Sequence, residues 1–276
     1  MKKSFSLKLT ESAILVAFAI VLSFVKIVDL PYGGSITAFS MLPLVIIAYR
    51  NGIGWGVLSA FAFSLIQLFS GMNNLAYATS GMAITAIIFL DYIIAFTVFG
   101  FGGIFKKRIK NQGTALAMGV ILVGILRYIC HIISGCTVWI GLSIPDTQSL
   151  IYSTAYNATY MIPEIIISVV GAICISKLLS FKEDTITRTQ VVKKEEKSDL
   201  AVLFNGIGIT SLLFMAVWSI KEIAFNLQNA ETGDFDVTGF ANVNWMSVII
   251  VAVICIIVFS IFYILSKKAS SNNKIS

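Results

Sequence analysis

Asp91 stands inside residues 81–105, a stretch with no other charge before Lys106 and long enough to cross a bilayer. A charge at the bilayer centre costs roughly 2.5–3.5 kcal/mol on insertion scales, so this carboxylate has to face a cavity, a partner or a bound cation. Two later segments carry matching chemistry. Arg127, His131, Gly135 and Trp139 recur at every fourth position, which on an α-helix places each about 40° round from the last and forms one polar, aromatic stripe. Tyr152, Tyr156, Asn157 and Tyr160 follow, with Glu164 just past Pro163. A belt of interfacial aromatics accounts for Tyr152, Tyr160 and Trp139 taken singly, but it does not account for Asn157. A carboxylate, an imidazole, an amide and aromatic faces together suit a small flat ligand with a cationic ring and hydrogen-bonding edges. The carboxylate neutralises the cation, the aromatics stack on it and the polar groups fix its orientation. The residues therefore point to capture of a cationic heteroaromatic nutrient from outside.

Such side chains need helices to hold them, and the composition supplies these. The chain has 276 residues, 57% hydrophobic and 12% charged, with a mean hydropathy of +0.89, whereas soluble domains carry about 25% charged residues. This is an all-α integral membrane protein by composition. Spanning helices need about 20 residues, fewer where neighbours shield them. The sequence predicts helices near 9–28, 36–49, 53–70, 82–105, 114–140, 154–180, 200–220 and 245–266, eight spans in all. The second is short and interrupted by Pro43, so it is expected to be bent or only partly embedded. Residues 1–180 form a six-helix unit in this reading, 181–199 a polar cytoplasmic linker, and 200–276 a two-helix membrane appendage without an assigned role. Trp218 and Trp245 belong to the outer aromatic belt.

The net charge of +6 could suggest nucleic acid, but the basic residues sit in short blocks between apolar runs. Lys2, Lys3 and Lys8, then Arg50, then Lys106, Lys107, Arg108 and Lys110, then the linker, then Lys267 and Lys268 all fall on one side. By the positive-inside rule this puts both termini in the cytoplasm and makes the bilayer, not nucleic acid, the partner. The apolar stretch near the N-terminus lacks a small-residue cleavage site and reads as the first span.

Several chemistries lack their motifs. There is no G-x-x-x-x-G-K-[ST] phosphate loop, no HExxH and no GxSxG, and only one histidine is present. The reading therefore assigns no catalytic residue, no metal site and no cofactor. The four cysteines, Cys130, Cys136, Cys174 and Cys255, lie in apolar segments without CxxC spacing, which argues against structural disulfides. No internal repeat is evident, which weighs against the inverted-repeat secondary carriers.

The segments GGSIT (33–37), LDYIIAF (90–96), RYICHIISG (127–135) and YSTAYNATYMIP (152–163) resemble those of the thiamine-specific S components of energy-coupling factor (ECF) transporters. The resemblance covers roughly residues 8–180. It implies a six-helix protein of a prokaryotic cell membrane that binds thiamine with high affinity and topples to deliver it. The partners it implies are a transmembrane scaffold subunit and two ATPase subunits, so ATP is used by those subunits and not by this chain. Asp91 occupies the family's acidic position, where Glu also occurs, and would face the thiamine cation or its aminopyrimidine. Tyr92, His131, Tyr152 and Asn157 match polar ligand contacts, Gly135 in the same matched segment is counted with them as ligand-binding, and Trp139 matches the stacking aromatic. Tyr32 would lie in the lid over the site. Ala13 and Ala17 form a small-xxx-small face, which the resemblance makes the dock for the scaffold. The alternatives are an S component for another vitamin or a thiamine precursor, a membrane enzyme, or a stand-alone secondary carrier.

Overall fold

The structure is a computed structural model that describes residues 4–78, 80–141, 146–182, 184–189, 199–227 and 237–272. It divides into two compact units, one ending at Thr189 and the other beginning at Gln190. Among the described residues, seven helices are long and apolar enough to cross a membrane. The fold is that of a helical, multi-pass membrane protein.

In the first unit, α1 (Phe5–Phe24) starts at Ser4, whose hydroxyl accepts the Leu7 N–H at 3.2 Å, a normal N-cap. Its buried residues are Ser12 and Ala19, seven apart and so on one face. Ser12 Oγ accepts the Trp55 indole N–H at 2.6 Å, and Glu11 pairs with Arg50. Two short strands follow, β1 (Lys26–Asp29) and β2 (Ser35–Thr37), paired antiparallel with Val28 opposite Ile36. An all-helical reading did not anticipate them. Their β-branched residues favour extended backbone, and Pro31 with Gly33 and Gly34 turns the chain between them.

The expected second span is the main departure. Helix α2 (Leu42–Asn51) has only ten residues, and Pro43 stands at its start, where a missing N–H costs nothing, instead of interrupting it. Residues 42–50 are all buried, so protein shields this helix and it does not need the length of a lipid-facing span. The segment still runs the depth of the unit. Arg50 meets Glu11 near the start of α1, while β2 pairs with the strand after the end of α1.

Helix α3 (Ile53–Ser70) leads through a 3₁₀ turn, Met72–Tyr77, to α4 (Gly81–Gly103). Within α4, residues Ile87–Ile94 are π-helical and Val98–Gly103 are 3₁₀. The tight end packs closely on its neighbours: a Cβ at Gly103 would lie 2.2 Å from the Ala48 carbonyl oxygen, so only glycine fits. Helices α5 (Gln112–Gly141) and α6 (Asp146–Leu178) form the most extensive helix pair in the unit.

After α6 the chain does not leave as a polar linker. Leu179–Ser180 (β3) pairs with Thr187–Arg188 (β4). The amide of Gln112 donates to the Leu179 carbonyl and accepts the Phe181 N–H, both at 2.8 Å, while Phe181 is buried. The first unit thus extends past the expected boundary at 180 because an aromatic residue and one well-placed amide anchor the turn. Residues 183 and 190–198 of the expected linker lie outside the described residues.

In the second unit, α7 (Asp199–Asn226) and α8 (Trp245–Asn272) form an antiparallel hairpin. Ser211 donates to the Cys255 carbonyl at 3.3 Å and Ser266 to the Ala201 carbonyl at 3.0 Å. Phe204 and Phe262 pack with ring centroids 5.7 Å apart.

Candidate functional site

The first unit holds a cavity of about 270 Å³, just under the range of roughly 300–1,000 Å³ for small-molecule sites. Its walls come from the end of α1 and from α3, α4, α5 and α6, with the β1–β2 segment and the Met72–Tyr77 turn over them. Asp91 and Tyr92 reach it from the π-helical part of α4. Such widened turns recur at functional sites because they redirect side chains that a regular helix would aim elsewhere.

Asp91 is held on two sides. His131 Nδ1 lies 2.7 Å from its Oδ1, and Ser134 donates to its Oδ2 at 2.7 Å. About a quarter of the side chain, 26%, stays accessible, so part of the carboxylate's acceptor capacity remains for a ligand. Arg127 Nε donates to His131 Nε2 at 3.0 Å. A guanidinium has no acceptor, so Nε2 carries no proton, and the hydrogen that imidazole donates to Asp91 is on Nδ1. His131 is therefore neutral in this arrangement. Below it, Arg127 Nη1 donates to Glu164 Oε2 at 3.0 Å. Glu164 also accepts the Thr37 hydroxyl, and the Ser40 hydroxyl at 3.2 Å. The Arg127 guanidinium carbon lies 4.8 Å from the centre of the Phe96 ring, within range of a cation–π contact.

Asn157 ties α6 to α5. Its amide donates to the Ser153 carbonyl at 2.7 Å and the His131 carbonyl at 3.2 Å, and its Oδ1 accepts the Tyr160 hydroxyl. Gly135 permits this approach. A Cβ there would lie 2.3 Å from Ser153 Oγ and 3.3 Å from Asn157 Nδ2. Tyr92 is 8% exposed; its hydroxyl donates to the Gly71 carbonyl at 3.0 Å and accepts from Asn74 at 2.8 Å. Its donor is thus spent on the turn that covers the cavity, and toward a ligand Tyr92 can only accept.

Tyr32 lies under the same cover with φ 62°, a conformation that costs a non-glycine residue roughly 1–2 kcal/mol. The edge contact with Tyr77, centroids 5.2 Å apart, and the 2.8 Å bond from the Gly34 N–H to the Tyr156 hydroxyl hold this segment in place.

Of the residues expected from sequence to bind ligand, Asp91, Tyr92, His131, Gly135, Asn157 and Tyr32 line this one cavity. Tyr152, half-buried one turn before Tyr156, is not in the described lining. Trp139 belongs to α5, but its side chain lies outside the described residues. Sequence reasoning did not assign Asn74, Tyr77, Ser134 or Gln67 to the site. The turn containing Asn74 and Tyr77 showed only an uncharged loop, although an amide and a tyrosine three apart were its available signal. On α1, Ala13 and Ala17 are exposed beside Ile14 and Phe18, on the face turned away from the contacts of Ser12.

Residues 9–184 match the family described as thiamine transporter protein (Thia_YuaJ). The thiamine transporter ThiT of Bacillus subtilis (strain 168) is 32% identical over 171 residues, covering 58% of this chain and 85% of that relative. The solved structure of ThiT from Listeria monocytogenes matches with a TM-score of 0.50 at 24% identity, over 62% of this chain and 93% of that one, which is a likeness of fold. With its first unit matched almost throughout, this chain belongs to the thiamine transporter protein family.

Proposed function

We propose that this protein is the membrane-embedded thiamine-binding subunit of an ECF-type uptake transporter. The observation that carries this reading is Asp91, a partly accessible carboxylate in a cavity with aromatic walls, supported by a neutral histidine. Thiamine supplies what such a cavity lacks: a ring with a permanent positive charge and an aminopyrimidine with hydrogen-bonding edges. Membership of the thiamine transporter family supports the same ligand.

Delivery requires energy, and the sequence has no phosphate loop for hydrolysing ATP. The proposal therefore includes docking of α1, through Ala13 and Ala17, to a transmembrane scaffold that carries two ATPases. Both termini lie in the cytoplasm in this reading, as the basic blocks require.

Titration of the purified chain with thiamine, with riboflavin as control, tests the ligand. Saturable one-to-one binding of thiamine alone supports the reading, and no binding by folded protein rejects it. Ala13→Trp tests the dock. It should leave thiamine binding intact while abolishing uptake into vesicles that contain the energising module; uptake at the wild-type rate would rule this face out.

A further inference from the structure

Glu164 is fully buried and is not part of the described cavity lining. A carboxylate placed there without need would be costly, so its effect on the cavity matters. Lys26 lines the outer rim but is paired with Asp29 at 2.9 Å. His131 is neutral because Arg127 donates to it. The charges left among the described residues around the inner cavity are Asp91, Arg127 and Glu164. Arg127 is bound by Glu164, so the cavity as a whole carries one negative charge, and the carboxylate facing the ligand space is Asp91.

We infer that Glu164 is a specificity-determining residue that acts through Arg127: by holding the guanidinium charge, it leaves Asp91 to a ligand cation and sets the cavity to prefer a monocationic ring over a neutral one. The inference rests on the thiamine-binding reading above. Without Glu164, Arg127 would counter Asp91, and the empty cavity would be neutral. A bound cation would then leave the site positively charged in a medium that screens poorly. Thr37 and Ser40 help fix Glu164 through its other oxygen, which links the charge of the site to the β2 segment beneath the cover.

The test compares thiamine with a neutral isostere in which carbon replaces the quaternary nitrogen, titrated into the purified full chain. The wild type should prefer thiamine. In Glu164→Gln the affinity for thiamine should fall on the order of tenfold or more, while the neutral isostere keeps its affinity. The double variant Arg127→Gln with Glu164→Gln should regain the preference for the cation, because Asp91 again stands without a competing positive charge. Equal weakening of both ligands in Glu164→Gln would show a structural role only and overturn the inference, as would an unchanged preference.

Should Glu164→Gln fail to fold, Glu164→Met, equally uncharged and of similar length, takes its place: a lost preference for thiamine over the isostere upholds the inference, and a retained one overturns it. A wild-type protein that binds no thiamine would reject the function itself before any variant is made.

Discussion

The two units put polar groups into a membrane in opposite ways. In the first, Asp91, His131, Arg127 and Glu164 form a chain of hydrogen bonds that crosses from α4 through α5 to α6 and ends on Thr37 and Ser40. In the hairpin, hydroxyls such as Thr210 and Ser260 bond back within their own helix, to Gly206 and Ile256, both within 2.9 Å. Among the described residues, the bonds that cross between α7 and α8 are those from Ser211 and Ser266. Polar side chains satisfied locally cost little but arrange nothing, since they fix no distance between helices. Bonds that cross helices specify one geometry and create a place where a ligand can substitute for water. Under the proposed function, recognition belongs to the first unit, while the hairpin is an apolar pair whose outward residues, such as Leu213, Phe214 and Val217, are exposed.

The largest way to break this contrast is Asp91→Asn. It keeps the shape and removes the countercharge, so the affinity for thiamine should fall on the order of a hundredfold, as losses from a buried charge pair do. Calorimetric titration measures it, and unchanged affinity would show that the carboxylate is not the ligand's partner. Gly135→Ala should have a smaller effect. The added methyl has to push Ser153 or Asn157 aside, an overpacking that costs about 1–3 kcal/mol, and binding should weaken roughly tenfold, with thermal unfolding following the same trend. Least of all, Ser266→Ala in the hairpin should cost about 0.6 kcal/mol of helix pairing and leave thiamine affinity unchanged. A binding defect there would mean that the hairpin takes part in recognition.

Much of the site could be read from the sequence because its signals are local. A lone carboxylate in an apolar run identifies Asp91, and spacing by four places Arg127 and His131 on one stripe; their 3.0 Å hydrogen bond follows directly from that spacing. The partner of Glu164 was not legible. Thr37 lies 127 residues away, and no periodicity connects them. The shortness of α2 escaped for a related reason: hydropathy reads a buried ten-residue helix as it reads a lipid-facing span, and only packing separates the two. The π-helical turn under Asp91 has no sequence signature, so the residue was legible while the backbone that aims it was not.

Whether a single negative charge in the first unit's cavity selects a cationic ligand is tested by direct calorimetry of the purified protein. Thiamine and its neutral isostere would be titrated into wild-type chain and into Asp91→Asn. Wild type should bind thiamine one-to-one and more tightly than the isostere, and Asp91→Asn should remove the difference by weakening thiamine alone. Equal affinity of the wild type for both ligands would contradict it.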